Sequence, residues 1–271
     1  MSVDLSVDGV FAKCRAEGRA ALVGYLPAGY PTVDGSVELI NALVEGGCDL
    51  LEVGIPYSDP VMDGPTIQAA AQTALDAGVR LRDVLSVVER VTAAGGSAVV
   101  MTYFNPIMSY GVDAFARDLA TAGGLGMITP DLIPEEAGEW IAASTEHDLS
   151  RIFLVAPSST TARLASTTAA SSGFVYATSL MGVTGARDSV ASAAPELVAR
   201  CRPLTSLPIG VGLGVRSAEQ AAEVAGFADA VIVGSAFVTA AEQGGPDAVR
   251  ALAADLAEGV RRATRPAPAH T

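Results

Sequence analysis

The chain has 271 residues, 50% hydrophobic and 17% charged, with a mean hydropathy of +0.38. That is too apolar for disorder and long enough for either two ordinary domains or one α/β barrel of about 250 residues. Thirty acidic against seventeen basic residues give a net charge of −13, which argues against nucleic acid or an anionic membrane as partner.

Residues 5–17 read as an N-terminal helix outside the repeating pattern, placed to plug a barrel floor. Eight apolar strand-like runs then follow: Ala21–Leu26, Asp49–Pro56, Ala98–Asn105, Leu125–Asp131, Arg151–Pro157, Gly173–Ser179, Pro208–Gly214 and Ala228–Ser235. Each precedes a stretch with helical spacing, as in Val37, Ile40 and Val44. Eight β-then-α units without a polar linker predict a closed (β/α)8 TIM barrel over residues 1–263, rather than an open sheet. About forty residues separate the second strand from the third, which leaves room for an extra helix there. The tail 264–271 is expected to be disordered.

No apolar run approaches the roughly 18 residues of a membrane span, and Met1-Ser-Val-Asp-Leu5 lacks the basic and apolar regions of a secretory signal. Cys14, Cys48 and Cys201 form no CxxC pair, so they read as reduced core thiols of a cytoplasmic protein. The scarcities narrow the chemistry. Lys13 is the only lysine, in a helical stretch, so a Schiff base is improbable. His147 and His270 are the only histidines, and neither is placed for catalysis or for a zinc site. Carboxylates, tyrosines or serines are left to move protons.

In such barrels the reacting groups lie at the C-terminal strand ends and in the loops beyond. Glu52 is a charged residue inside an apolar strand, on the same face as Leu50 and Gly54, with Gly54 leaving space for a ligand. A carboxyl there should have a raised pKa and exchange a proton near neutral pH; the alternative is a structural hydrogen-bond partner for a loop. Asp63 and Asp59 follow in a Pro/Gly-rich loop, where an aspartate serves equally as a turn or cap residue. Gly182–Gly185 follows the sixth strand, Gly212–Gly214 ends the seventh, and Gly234–Ser235 ends the eighth and opens a helix. Their backbone N–H groups can cradle a phosphate without lysine, although glycine also serves tight turns. Tyr103 on the third strand and Tyr176 on the sixth project near the mouth, as catalysts or as lining. Leu22, Leu26, Met101, Ile128 and Leu213 could wall an apolar pocket or simply pack the core.

The run Leu51-Glu-Val-Gly-Ile-Pro-Tyr-Ser-Asp-Pro-Val-Met-Asp-Gly-Pro-Thr-Ile-Gln68 resembles the motif of the tryptophan synthase alpha chain family. Supporting matches are Tyr25-Leu-Pro-Ala-Gly-Tyr-Pro31, Met101-Thr-Tyr-Phe-Asn-Pro106, Pro130-Asp-Leu-Ile-Pro-Glu135, Gly182-Val-Thr-Gly185 and Gly210-Val-Gly-Leu-Gly214. The resemblance implies retro-aldol cleavage of indole-3-glycerol phosphate to indole and glyceraldehyde 3-phosphate. It further implies that indole passes to a pyridoxal-phosphate beta chain in an α2β2 heterotetramer, with no cofactor or metal in this chain.

By the same resemblance, Glu52 shuttles the proton, Asp63 holds the indole N–H, and Tyr176 stands near the glutamate. Tyr25, Tyr103 and Leu213 belong to the indole pocket, while Gly185, Gly214, Gly234 and Ser235 form the phosphate cradle. The loop from Leu180 to about Asp188 closes over substrate, and its Thr184 contacts Asp63. Asp59, Pro65, Thr66, Asn105 and Asp131 fall where the family meets its beta partner. Leu213 in place of phenylalanine and Ser179-Leu-Met-Gly182 depart from some members, and bear on pocket packing and loop closure. Other phosphate-binding barrels are poorer fits, because they would need catalytic lysines, or histidines and a metal. A barrel subunit that only activates the beta chain is the rival of a different class.

Overall fold

The computed structural model describes residues 6–178, 187–212 and 214–263. Among them, eight parallel strands close into a barrel in sequence order: β1 (Ala21–Pro27), β2 (Leu50–Gly54), β3 (Ala98–Met101), β4 (Gly126–Thr129), β5 (Ser150–Val155), β6 (Val175–Thr178), β7 (Ile209–Gly212) and β8 (Ala230–Val233). Helix α1 (Val7–Ala16) precedes the barrel. Helix α2 (Val33–Gly46) follows β1, and α3 (Pro65–Asp76) and α4 (Leu81–Ala93) both follow β2. The extra N-terminal helix and the extra helix after the second strand are therefore present as expected.

Both faces of these strands are buried, which is why they read as apolar runs rather than as alternating patterns. Inward-facing Ala21, Val23, Leu50, Val99, Ile128, Ile152, Phe174, Ala230 and Ile232 form one cluster, closed from below by Val7, Val10, Phe11 and Cys14 of α1. Outward-facing residues such as Leu51, Val53, Val100 and Val231 pack against the helices. Leu22 and Leu26 belong to that outer layer, so they are not pocket walls. They have the opposite parity to Val23, whereas Met101 and Ile128 do face inward.

The floor is pinned by a device that occurs twice. Asp49, just before β2, accepts the Leu22 N–H at 2.9 Å and holds Arg19 through two 2.7 Å contacts. Asp229, just before β8, likewise accepts the Ile209 N–H at 2.9 Å and pairs with Arg202. Each carboxylate thus satisfies an N–H in the first two residues of the neighbouring strand and is itself paired with an arginine.

The third strand is shorter than its apolar run. It stops at Met101, and Phe104–Tyr110 forms a helix, α5, before α6 (Val112–Thr121). The reason is a cap from another loop: the Asp131 carboxylate accepts the Phe104 N–H at 3.0 and 3.2 Å at the start of α5. Tyr103 is consequently the N-cap residue of α5, beyond the strand rather than on it. The circuit is completed by α7 (Gly138–Glu146), α8 (Thr161–Ala170), α9 (Arg187–Cys201), α10 (Ala218–Ala225) and α11 (Ser235–Arg262). Within α11, Gly244 and Gly245 interrupt the helical geometry. The expected tail at 264–271 lies outside the described residues.

Candidate active site

Glu52 lies on the inward face of β2, opposite Tyr25 of β1 in the strand register. Its side chain is 1% exposed, and neither carboxyl oxygen has a hydrogen-bond partner. A charge so placed loses its hydration with nothing in return, so burial pushes the Glu52 pKa up to about 8, with the nearby Asp63 charge adding to the rise. At neutral pH this carboxyl holds its proton, and among the described residues no loop group hydrogen-bonds it. The half-buried Asp63, in the loop after β2, also has its pKa raised by burial. The two carboxyls lie near enough for the Asp63 charge to act on Glu52, and Glu52 is the more deeply buried of the two.

Three tyrosines close round them. Tyr25 is 8% exposed, and burial followed by the charges of Asp63 and Glu52 raises its pKa well above 10. Tyr176, on β6, is raised in the same way by burial and then by Glu52. Both phenols stay protonated at neutral pH, as hydrogen-bond donors. They are seated alike. Tyr25 pairs in register with Glu52 and lies over Gly54, two residues further on; Tyr176 pairs with Gly210 and lies over Gly212. A Cβ on Gly54 would stand 2.4 Å from the Tyr25 hydroxyl, and one on Gly212 would stand 2.7 Å from that of Tyr176. Gly54 therefore does make space, but the Tyr25 ring fills it, where a ligand was expected.

The loop carrying Asp63 is framed from two sides. The Tyr103 hydroxyl oxygen accepts the Met62 N–H at 2.9 Å, and its ring stacks on Tyr57 with centroids 5.0 Å apart. From α3, the Gln68 side-chain amide donates to the Asp63 carbonyl at 2.8 Å. Two hydrogen bonds flank the Asp63 residue, and among the described residues none engages its carboxylate. Neither Tyr57 nor the Gln68 contact carries a signal in the sequence, because each depends on where a loop is folded back.

At the other end of the mouth, Gly214 has φ +65, a left-handed conformation suited to glycine. Gly234 is the N-cap residue of α11 and Ser235 its first residue, with no side chain capping the helix and no acidic residue in its first turn. The first N–H groups are left to bind an anion there. The expected contributions of Thr184, Gly185, Leu213 and the closing loop near 180–188 lie outside the described residues or their described side chains.

Asp59, Pro65, Asn105 and Asp131 are exposed and Thr66 is half-buried, all on loops or first helical turns at this end of the barrel. Exposed apolar side chains stand among them: Val61, Met62, Met108, Tyr110 and Ile133. Lys13 is exposed on α1, under the opposite end, and His147 approaches Asp113, at 3.4 Å. No helix among the described residues is long and apolar enough to cross a membrane.

A family model described as tryptophan synthase alpha chain matches residues 11–264. The tryptophan synthase alpha chain of Mycobacterium intracellulare is 66% identical over 253 residues, 93% of each chain. That of Nocardia farcinica is 66% identical over 264 residues, 97% of this chain and 99% of the relative. A structure of Mycobacterium tuberculosis tryptophan synthase superposes with a TM-score of 0.90 at 64% identity, covering 94% of this chain and 98% of that one. The tryptophan synthase alpha subunit of Legionella pneumophila, 33% identical, superposes at 0.84 over 94% and 97%. With the family model covering nearly the whole chain and the barrel shared throughout, the chain belongs to the tryptophan synthase alpha chain family.

Proposed function

We propose that this chain catalyses the retro-aldol cleavage of indole-3-glycerol phosphate to indole and glyceraldehyde 3-phosphate. The observation that carries the reading is the Glu52 carboxyl, buried and unpartnered with its proton retained at neutral pH, beside Asp63 at the barrel mouth. Glu52 gives its proton to C3 of the indole, which places positive charge on the ring nitrogen. Asp63, ionised, accepts the N–H and stabilises that charge. The bond from C3 to the glycerol carbon then breaks and its electron pair restores the aromatic ring. The hydroxyl on that carbon loses its proton to the Glu52 carboxylate as the aldehyde forms, returning Glu52 to its starting state. Tyr176 and Tyr103 line the ring's side of the pocket. The N–H groups at Gly214, Gly234 and Ser235, completed by Gly185, hold the phosphate.

The indole product passes to a beta chain, and pyridoxal phosphate belongs to that partner. The residues here do not fit it, because the one lysine is exposed under the barrel floor. Asp59, Pro65, Thr66, Asn105 and Asp131, interspersed with Val61, Met62, Met108, Tyr110 and Ile133, form the docking face of an α2β2 assembly in the cytoplasm. A beta chain seated there covers the mouth and excludes water.

The test is indole release from indole-3-glycerol phosphate by the purified chain, alone and with a cognate beta chain. Slow release that the beta chain accelerates, and that Glu52→Gln and Asp63→Asn each abolish, is the expected result. Wild-type rates in Glu52→Gln would return the chain to the role of an activating subunit.

A further inference from the structure

The proposed substrate has to span two places, the carboxyls on β2 and its loop and the cradle at the ends of β7 and β8. In the closed order the strand between β8 and β2 is β1, and its inward residue at the level of Glu52 is Tyr25. The phenol reaches both places. Its hydroxyl lies over Gly54, while its Cδ1 would stand 3.3 Å from a Cβ on Gly234. Gly54 and Glu52 share a face about 6.6 Å apart, two strand residues, so the hydroxyl and the Glu52 carboxyl flank the same short stretch of pocket. Among the described residues no hydrogen bond engages the Tyr25 hydroxyl, although the side chain is only 8% exposed.

We propose that the Tyr25 hydroxyl donates a hydrogen bond to the substrate's own hydroxyl oxygen, on the carbon bonded to the indole ring. This deepens the retro-aldol reading and rests on it. In the cleavage step the proton on that oxygen moves to the Glu52 carboxylate, the oxygen's electron pair forms the C=O bond, and the C–C electron pair returns to the ring. The oxygen carries most negative charge midway through that step. A neutral donor fixed beside it lowers the barrier in the same way as an oxyanion-hole donor, and keeps its own proton throughout. The ring of Tyr25 then serves as the pocket wall and the hydroxyl as a contact specific to the glycerol chain.

Tyr25→Phe separates the two roles, because the ring stays wedged between Gly54 and Gly234 and only the hydroxyl is lost. The complex with the beta chain is assayed for kcat and KM on indole-3-glycerol phosphate. It is assayed in parallel for the affinity of 3-(indol-3-yl)propyl phosphate, which has the ring and the phosphate but no hydroxyl. The expected result is a fall in kcat/KM of about tenfold to a hundredfold, the loss for a donor to a group gaining charge, with the propyl compound bound within twofold of wild type. Unchanged turnover would overturn the proposal. So would equal losses for substrate and propyl compound, which would make Tyr25 a packing residue. Failure of the wild-type complex to release indole at all would refute the retro-aldol reading, and with it this contact, before any variant is compared.

Discussion

Replacing Glu52 by glutamine should stabilise the protein, and by an amount that grows with pH. Unfolded, Glu52 ionises near 4.5; folded, its pKa is raised to about 8. Between those values the folded chain keeps a proton that the unfolded chain has released, so each unit of pH in that window lowers wild-type stability. At pH 7 about 2.5 units of the shift have accrued, which at 1.36 kcal/mol per unit is roughly 3 kcal/mol. At pH 5 the same arithmetic gives less than about 1 kcal/mol, and above pH 8 the penalty levels off near 5 kcal/mol. A glutamine carries no charge at any of these values, and any packing difference it introduces is the same at every pH. Urea unfolding of wild type and Glu52→Gln at pH 5, 6, 7 and 8 reads the effect directly. The stability difference should widen in favour of the variant by a few kcal/mol across the series. A difference that stays flat with pH would show that Glu52 ionises normally in the folded protein. The acid role assigned to it would then lose its physical basis.

The same pKa predicts the pH dependence of catalysis. Indole release, measured as kcat/KM, should decline as pH rises through about 8, where Glu52 loses the proton it must donate, and should also decline in acid as Asp63 becomes protonated. A profile with no alkaline limb would contradict the assignment. Gly54→Ala should abolish activity and destabilise by about 1–3 kcal/mol, because the new methyl would meet the Tyr25 hydroxyl at 2.4 Å; kinetics and urea unfolding check both parts. Asp49→Asn should destabilise by about 1–3 kcal/mol, since it removes the buried, two-contact partner of Arg19 and leaves only the more exposed Glu17 beside it, and thermal unfolding reads it. Met108→Lys should weaken association with the beta chain at least tenfold while leaving the chain's own unfolding unchanged, because Met108 is 63% exposed. Titration calorimetry decides it.

What the sequence made legible follows the physics of each feature. The barrel was legible because eight doubly buried strands leave eight apolar runs, and Glu52 was legible because a charge inside such a run has few explanations. The limits came from contacts between distant segments. Strand β3 ends early because Asp131, from the next strand's loop, caps α5, and no pattern within Ala98–Asn105 carries that information. Leu22 and Leu26 face the helices because Ala21 and Val23, of the other parity, take the inward positions packed with α1. The space over Gly54 is taken by Tyr25 because the tilt of the strands carries a side chain two residues past its register partner, and Tyr176 over Gly212 repeats the offset. A glycine on one strand and a tyrosine on another are each unremarkable in sequence; only the closed sheet brings them together.

The most direct test of the account follows the proton. The complex of this chain with its beta partner, given indole-3-glycerol phosphate in D2O without serine, should release indole and glyceraldehyde 3-phosphate in equal amounts. The indole should carry one deuterium at ring carbon C3, where Glu52 delivers it, and Glu52→Gln should yield neither product. Indole formed without an equal amount of the aldehyde phosphate, or without deuterium at C3, would contradict cleavage through protonation of the ring.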